Sequence, residues 1–240
     1  MRLTRFGNHL TQITKFPNLF PISAYFVVED DGLTLIDTGL PGDGRGYLAQ
    51  AKALGGPIRR IVLTHAHGDH VGSLDELAAA LPGIDVIASV RDARFLRGER
   101  ALDADEPQAP LRGSITTIKT ALTRTVSAGD RIGSLEVVAT PGHTPGHIAL
   151  LDTRDGTLVA GDALMTLGGP AVSGTFKWGF PIGPWVTWHR PTALTSARRL
   201  LALNPTRLAV GHGPVLEQPG PALTQAIAEA EAALAGGRHG

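Results

Sequence analysis

The run Thr64-His65-Ala66-His67-Gly68-Asp69-His70 packs three imidazoles and a carboxylate into six consecutive residues. Neutral imidazole and ionised carboxylate are the groups that zinc and the neighbouring divalent metals take as ligands. Folding has no use for four such groups at the end of the apolar run Ile61-Val62-Leu63, because burying them unpaired is costly. A solvated His-rich turn is the plain alternative, and the rest of the chain argues against it. Leu135–Ala139 leads to Pro141-Gly142-His143, Leu208-Ala209-Val210 to Gly211-His212, and Leu158-Val159-Ala160 to Gly161-Asp162. Strand ends that face one way would bring these loops to one sheet edge, where α/β folds place their sites. His65, His67, Asp69, His70, His143, Asp162 and His212 are therefore the candidate ligands, and so large a set suits two ions better than one.

The order His-x-His-x-Asp-His, then a distant His, an Asp and a His, resembles the signature of the metallo-β-lactamase-fold hydrolases. Leu33–Gly39 is similar to the family's Asp-Thr-Gly element, and Thr140–His147 to its Pro-Gly-His-Thr-Pro-Gly-His stretch. The likeness runs from Tyr25 to about Val215. It implies an α/β protein of the αββα four-layer sandwich type, with residues 1–240 as one domain. It also implies a division of labour: His65, His67 and His143 on one ion, Asp69, His70 and His212 on the other, and Asp162 bridging both. Zinc is the expected metal, with manganese, cobalt or iron as alternatives. A water or hydroxide forms the second bridge, activated because two dications bring its pKa towards neutrality. One ion can also polarise a substrate carbonyl. Asp69 is the candidate donor of the proton that the leaving group needs. Asp37 either supports the ligand loops or stabilises its own turn, and His147 reads as a structural hydrogen-bonder. His9, His189 and His239 receive no role.

The elements that must hold these residues are legible in outline. Tyr25 to Asp37 reads as strand, Asp31-Gly32 turn and strand, and Ile148 to Asp162 repeats the pattern around Asp155-Gly156. Each hairpin is followed, after a helical stretch, by a strand that ends in histidine. Tyr47, Leu48, Ala51 and Leu54 form a helical stripe stopped by Gly55-Gly56. Ser73-x-x-Glu76 reads as a capping box for a helix over 74–81, and Ser89-x-x-Asp92 opens a short helix that Gly98 closes. Helices are expected over 192–203 and 221–234, and Glu99 to Ser114 as a long loop.

Composition excludes several classes. Lys plus Arg and Asp plus Glu balance at 22 each, so no net field attracts nucleic acid or an anionic membrane. The absence of cysteine removes disulfides, thiolate ligands and a cysteine nucleophile. No apolar run has the length of a membrane span, and the first residues lack the core of a signal peptide. The cytoplasm is the default location.

Within the family the chain departs from β-lactamases, which place Cys or Ser at the position of Asp162, and from nucleases with basic surfaces. Glyoxalase II-like thioesterases append a helical region after the last ligand, and acyl-homoserine lactonases commonly carry a tyrosine after the bridging aspartate. Here the tyrosines are Tyr25 and Tyr47, both before the first ligand. The substrate clue is the segment holding Phe176, Trp178, Phe180, Trp185 and Trp188 among glycines and prolines, a spacing that denies a regular helix. Phe176, Trp178, Phe180 and Trp185 are candidates for an apolar wall that suits a hydrophobic small-molecule ester, a lactone above all. Packing on the protein's own core or in a homodimer is the competing role. The competing activities are a mononuclear iron persulfide dioxygenase and a glyoxalase II-like thioesterase.

Overall fold

The computed structural model describes residues 1–237. It divides into two compact units, Met1–Glu99 with Ser114–Val126, and Arg100–Gly113 with Ser127 onwards.

In the first unit seven strands lie side by side in chain order: β1 (Arg2–Phe6), β2 (Leu10–Lys15), β3 (Ile22–Glu29), β4 (Gly32–Ile36), β5 (Ile58–Val62), β6 (Asp85–Ser89) and β7 (Arg124–Val126). β1 to β4 pair antiparallel and β4 to β7 parallel. β3 is buried from Ile22 to Val27, as expected of an apolar run in mid-sheet. Phe26, Leu35, Ile36, Ile61, Leu74, Leu77 and Phe95 fill the core.

Four helices belong to this unit: α1 (Gly44–Leu54), α2 (Gly68–Val71), α3 (Leu74–Ala80) and α4 (Val90–Leu96). α1 buries Tyr47 and Ala51 and ends at Gly55 in the left-handed region, where its N–H reaches the carbonyls of Ala51 and Lys52. α4 opens as its sequence indicates, with Ser89 Oγ accepting from Asp92 N at 3.0 Å. α3 starts where expected, but its capping box does not form. Ser73 Oγ instead donates to Leu40 O at 2.6 Å and accepts from Asp43 N at 2.8 Å, while Glu76 accepts from Gly44 N at 3.3 Å. Both side chains are spent on tying down the loop that leads into α1.

The second unit holds β8 (Arg131–Ile132), β9 (Leu135–Ala139), β10 (Ile148–Asp152), β11 (Thr157–Val159), β12 (Leu164–Met165), β13 (Ala171–Val172), β14 (Arg207–Ala209) and β15 (Leu216–Glu217). Six of them form a sheet in the order β15-β14-β11-β10-β9-β8, and β12 with β13 forms a separate hairpin. The helices are α5 (Gly183–Val186), α6 (Arg190–Ala202) and α7 (Gly220–Ala235). Ala193, Ala197, Leu200, Leu223, Ala226 and Ile227 carry α6 and α7 into one apolar cluster with Leu158 and Leu208. α5 corrects the expectation of wholly irregular chain after Phe176. Pro184 sits in its first turn, where a proline lacks no needed N–H.

The two halves share a connectivity. β3 and β4 pair antiparallel and β4 then pairs parallel with β5; β10, β11 and β14 repeat this. His65 follows β5 and His212 follows β14 by the same three residues. Among the described residues no helix is long and apolar enough to cross a membrane. His239 lies outside them.

Gly142 is a point where backbone freedom is needed. Its φ is +135°, and a Cβ there would run into the backbone N and Cα of Ala193 in the first turn of α6. Gly142→Ala combines a disfavoured backbone with overpacking and should lower the unfolding free energy by about 2–5 kcal/mol. Denaturant titration checks this, and an unchanged midpoint would refute it.

Candidate metal centre

The loop after β5 enters α2 at once, so Asp69 and His70 sit on a helical turn while His67, with φ −79° and ψ 149°, is extended. That change of conformation turns alternate residues to a common side. The ring centroids of His65 lie 4.7 Å from those of His67 and 4.0 Å from those of His70. Ligand atoms of His65 fall within 4.8 Å of those of both neighbours, as do those of Asp69 and His70. His65, His67 and His70 are buried, and Asp69 is partly exposed.

Asp37 stands at the centre of this arrangement. Its Oδ1 accepts from Thr64 N at 2.8 Å, and its Oδ2 accepts from Thr64 Oγ1 and lies against His70 Nδ1, both at 2.8 Å. A backbone φ of +63° aims it there. Because Thr64 gives its hydroxyl proton to Asp37, the contact of Thr64 Oγ1 with His65 Nδ1 at 3.0 Å has the imidazole as donor. The carboxylate likewise takes the Nδ1 proton of His70. Both rings are thereby set with the proton on Nδ1 and the lone pair on Nε2, the form that ligates through Nε2. Thr38 N donates to His70 O at 2.6 Å and Gly72 N to Gly39 O at 2.9 Å, so the Asp37-Thr38-Gly39 turn clamps both ends of the His70 segment.

Further supports escape a reading of the sequence. Asp92 Oδ2 accepts from Ala66 N at 2.9 Å, and Ala66 O accepts from Thr116 N at 2.8 Å, so both backbone groups between His65 and His67 are held. Gly68 N donates to Ser114 O at 3.0 Å, and His67 forms a bridge with Ile115. Asp92 is visible in sequence as a capping residue, and nothing local announces its second partner.

Tyr47 is buried in the same unit. Burial first, then the Asp43 and Asp37 carboxylates, push its phenol well above the usual tyrosine range, so it stays protonated.

In the second unit the imidazoles of His143 and His212 converge on one carboxylate oxygen. His143 Nε2 lies 3.4 Å and His212 Nε2 3.2 Å from Asp162 Oδ2. All three residues are buried. Asp162 N donates to His147 Nε2 at 3.0 Å, so His147 carries its proton on Nδ1, against Thr140 Oγ1 at 2.8 Å. His147 thus holds the backbone of Asp162. His143 Nδ1 meets Ser173 Oγ at 2.9 Å, and Phe180 stacks on His212 with centroids 5.2 Å apart.

The aromatic segment divides by role. Phe180 is buried against His212, and Trp188 Nε1 donates to Ala109 O at 3.1 Å. Phe176 and Trp185 line a cavity of about 450 Å³ together with Pro184, Ala230, Ala233 and Leu234. Trp178 is 91% exposed and meets Phe176 edge-on. Lys177 pairs with Glu229 at 2.6 Å.

Two half-domains of like connectivity, each ending strands in buried histidine and aspartate, define a class of metal-binding α/β proteins. The sequence profile of the metallo-beta-lactamase superfamily matches residues 17–212, and the chain belongs to that family. Protein YobT of Bacillus subtilis (strain 168) is 47% identical over 96% of this chain and 99% of its own length. A hydroxyacylglutathione hydrolase of Stenotrophomonas maltophilia (strain R551-3) is 32% identical over 66% of this chain and 51% of its own. Among solved structures, TTHA1623 in a di-iron-bound form is 28% identical over 88% of this chain and 96% of its own, with a TM-score of 0.62. The fold is the family's, and the family with these donor sets implies divalent metal binding.

Asp37→Asn keeps the shape of the side chain but cannot accept from all of its present donors. Metal affinity, read by competition with a chelator, should fall about tenfold to a hundredfold. Unchanged affinity would mean that Asp37 serves its turn alone.

Proposed function

We propose that this chain is a dinuclear metal-dependent hydrolase that opens a small carbonyl ester, with a lactone bearing an apolar substituent as the favoured substrate. The observation that carries the reading is the proton bookkeeping of the buried imidazoles. His65 and His70 spend their Nδ1 protons on fixed oxygens, and His143 and His212 direct Nε2 at Asp162. The Nε2 lone pairs so freed on His65, His70 and His143, beside the buried Asp162 carboxylate, are groups that a cation takes as ligands. In this reading His65, His67 and His143 would hold one ion, Asp69, His70 and His212 would hold the other, and Asp162 would be shared. TTHA1623, solved with two irons, offers a precedent for a pair. Imidazole and carboxylate without thiolate suit zinc first, and also manganese, cobalt or iron.

Such ions, when bound, would supply Lewis acidity for activating a water near neutral pH and polarising a carbonyl. The protein's own residues do the rest. Asp69 is the partly exposed member of its loop's ligand set, which suits a group that must hand a proton to the leaving oxygen and recover one from solvent. The cavity lined by Phe176 and Trp185 has the size of a small-molecule site, and these rings with Ala233 and Leu234 offer a hydrophobic tail an apolar side, beside the charged Arg190 and Glu229. A thioester is the second reading, favoured by the hydroxyacylglutathione hydrolase relative, although that match spans about half of the relative.

Metal analysis of the purified protein, with a panel of lactones, esters and thioesters, tests the reading. About two zinc, manganese or cobalt ions per chain with lactone turnover is the expected result. One iron with thiol-dependent oxygen uptake would replace it with a dioxygenase. His67→Ala should lose metal and turnover while circular dichroism stays native; full metal content with normal turnover would sink the ligand assignment. Asp162→Asn should release one ion in preference to the other.

Trp185→Ala tests the substrate side. A ring contacting an acyl tail buries apolar surface at about 25 cal/mol per Å², or roughly 1–2 kcal/mol of transition-state binding. Decanoyl-type lactones should therefore lose about five- to thirtyfold in kcat/KM while butanoyl-type lactones react nearly as before. An equal loss on both would point to disruption of the segment, and a loss on neither to packing.

A further inference from the structure

We propose that Ser173 and Thr187 are positioning residues that fix His143 as a ligand through Nε2, by way of a relay anchored on the carbonyl of Gly183. Ser173 follows β13, Thr187 follows α5, and both are buried with His143. Thr187 Oγ1 lies 2.9 Å from Gly183 O, Ser173 Oγ 2.9 Å from Thr187 Oγ1, and His143 Nδ1 2.9 Å from Ser173 Oγ.

The direction of every bond follows from the first. A carbonyl oxygen has no proton, so the Thr187 hydroxyl must donate to it. A hydroxyl has one proton, so Thr187 can only accept from Ser173, and Ser173 in turn can only accept from His143. The Nδ1 proton is therefore held, and the lone pair is left on Nε2, which faces Asp162 Oδ2 at 3.4 Å. Without the relay that carboxylate would draw the imidazole proton to Nε2, and a protonated Nε2 cannot ligate. The backbone is set by the same two segments. Ser173 N donates to Ala163 O at 3.1 Å, beside Asp162, while Trp188 N donates to His143 O at 3.0 Å and His189 N to Gly142 O at 2.9 Å.

The segment that carries the exposed aromatic rings thus has a second duty, fixing both the ring and the main chain of His143. The inference rests on the metal reading above, and its test separates the two. Thr187→Val is close to isosteric and removes the hydroxyl, Thr187→Ser retains it, and Ser173→Ala breaks the next bond. Zinc affinity by chelator competition should fall about tenfold to a hundredfold in Thr187→Val and Ser173→Ala, and return in Thr187→Ser. In the zinc-loaded protein the His143 Nδ1 proton should give a slowly exchanging imidazole NMR signal in the wild type and in Thr187→Ser. It should be lost to exchange in the other two. A wild type that takes up no zinc would overturn the metal reading and this inference with it. A wild type that loads normally, beside a folded Thr187→Val with equal affinity and a protected Nδ1 proton, would overturn the relay alone.

Discussion

A neutral imidazole has one proton and one lone pair, and the rest of this structure depends on which nitrogen holds which. A buried histidine whose proton finds no acceptor carries a desolvation cost, and one whose proton sits on the wrong nitrogen is no ligand. For His65, His70 and His143 the chain meets both demands at once by giving the Nδ1 proton a dedicated oxygen. Asp37 serves His70 directly and His65 through Thr64, and the Thr187 hydroxyl serves His143 through Ser173. These oxygens are in turn fixed by backbone. Asp37 accepts from Thr64 N, and Thr187 donates to Gly183 O. Tautomer, ring orientation and loop conformation are consequently one problem with one solution.

Burial makes that solution rigid. The His65-to-His70 loop could have been a mobile surface turn, but both backbone groups of Ala66 are held, by Asp92 and by Thr116. Hydrogen bonds to an ionised carboxylate are about twice as strong as neutral ones. Each such bond lies away from solvent, where it weakens little with salt. Holding ligands so firmly in advance lowers the ordering cost when an ion binds.

The sequence showed those parts of this scheme that are local. His-x-His-x-Asp-His, the Pro-Gly-His stretch, the two Asp-Gly hairpins and the Ser89 cap each depend on residues within a few positions of one another, and the hairpins and the cap are where the pattern puts them. The parts that were illegible are pairings across long separations. Ser73 and Glu76 have the spacing of a capping box, yet Leu40, Asp43 and Gly44 compete for them and win. Ser173 and Thr187 carry no local signal, because a lone serine or threonine looks alike whether it faces solvent or an imidazole. The rings of the aromatic segment stand out in the sequence, whereas part of its role lies in a hydroxyl and two backbone amides.

That last case shows how the histidine scaffold and the cavity are linked within the second unit. Phe180 stacks on His212, and Thr187, seven residues on, closes the relay to His143. Between them lie Pro184 and Trp185, which line the cavity. One short stretch therefore touches two histidines and the cavity wall, with α5 at its centre. A change of ring in this stretch that shifted α5 would move Gly183 O, on which the relay is anchored. Under the proposed function, substrate preference and metal affinity are for this reason not independent properties of the segment. Substitutions at the cavity face are tolerated to the extent that they leave the α5 backbone where it is.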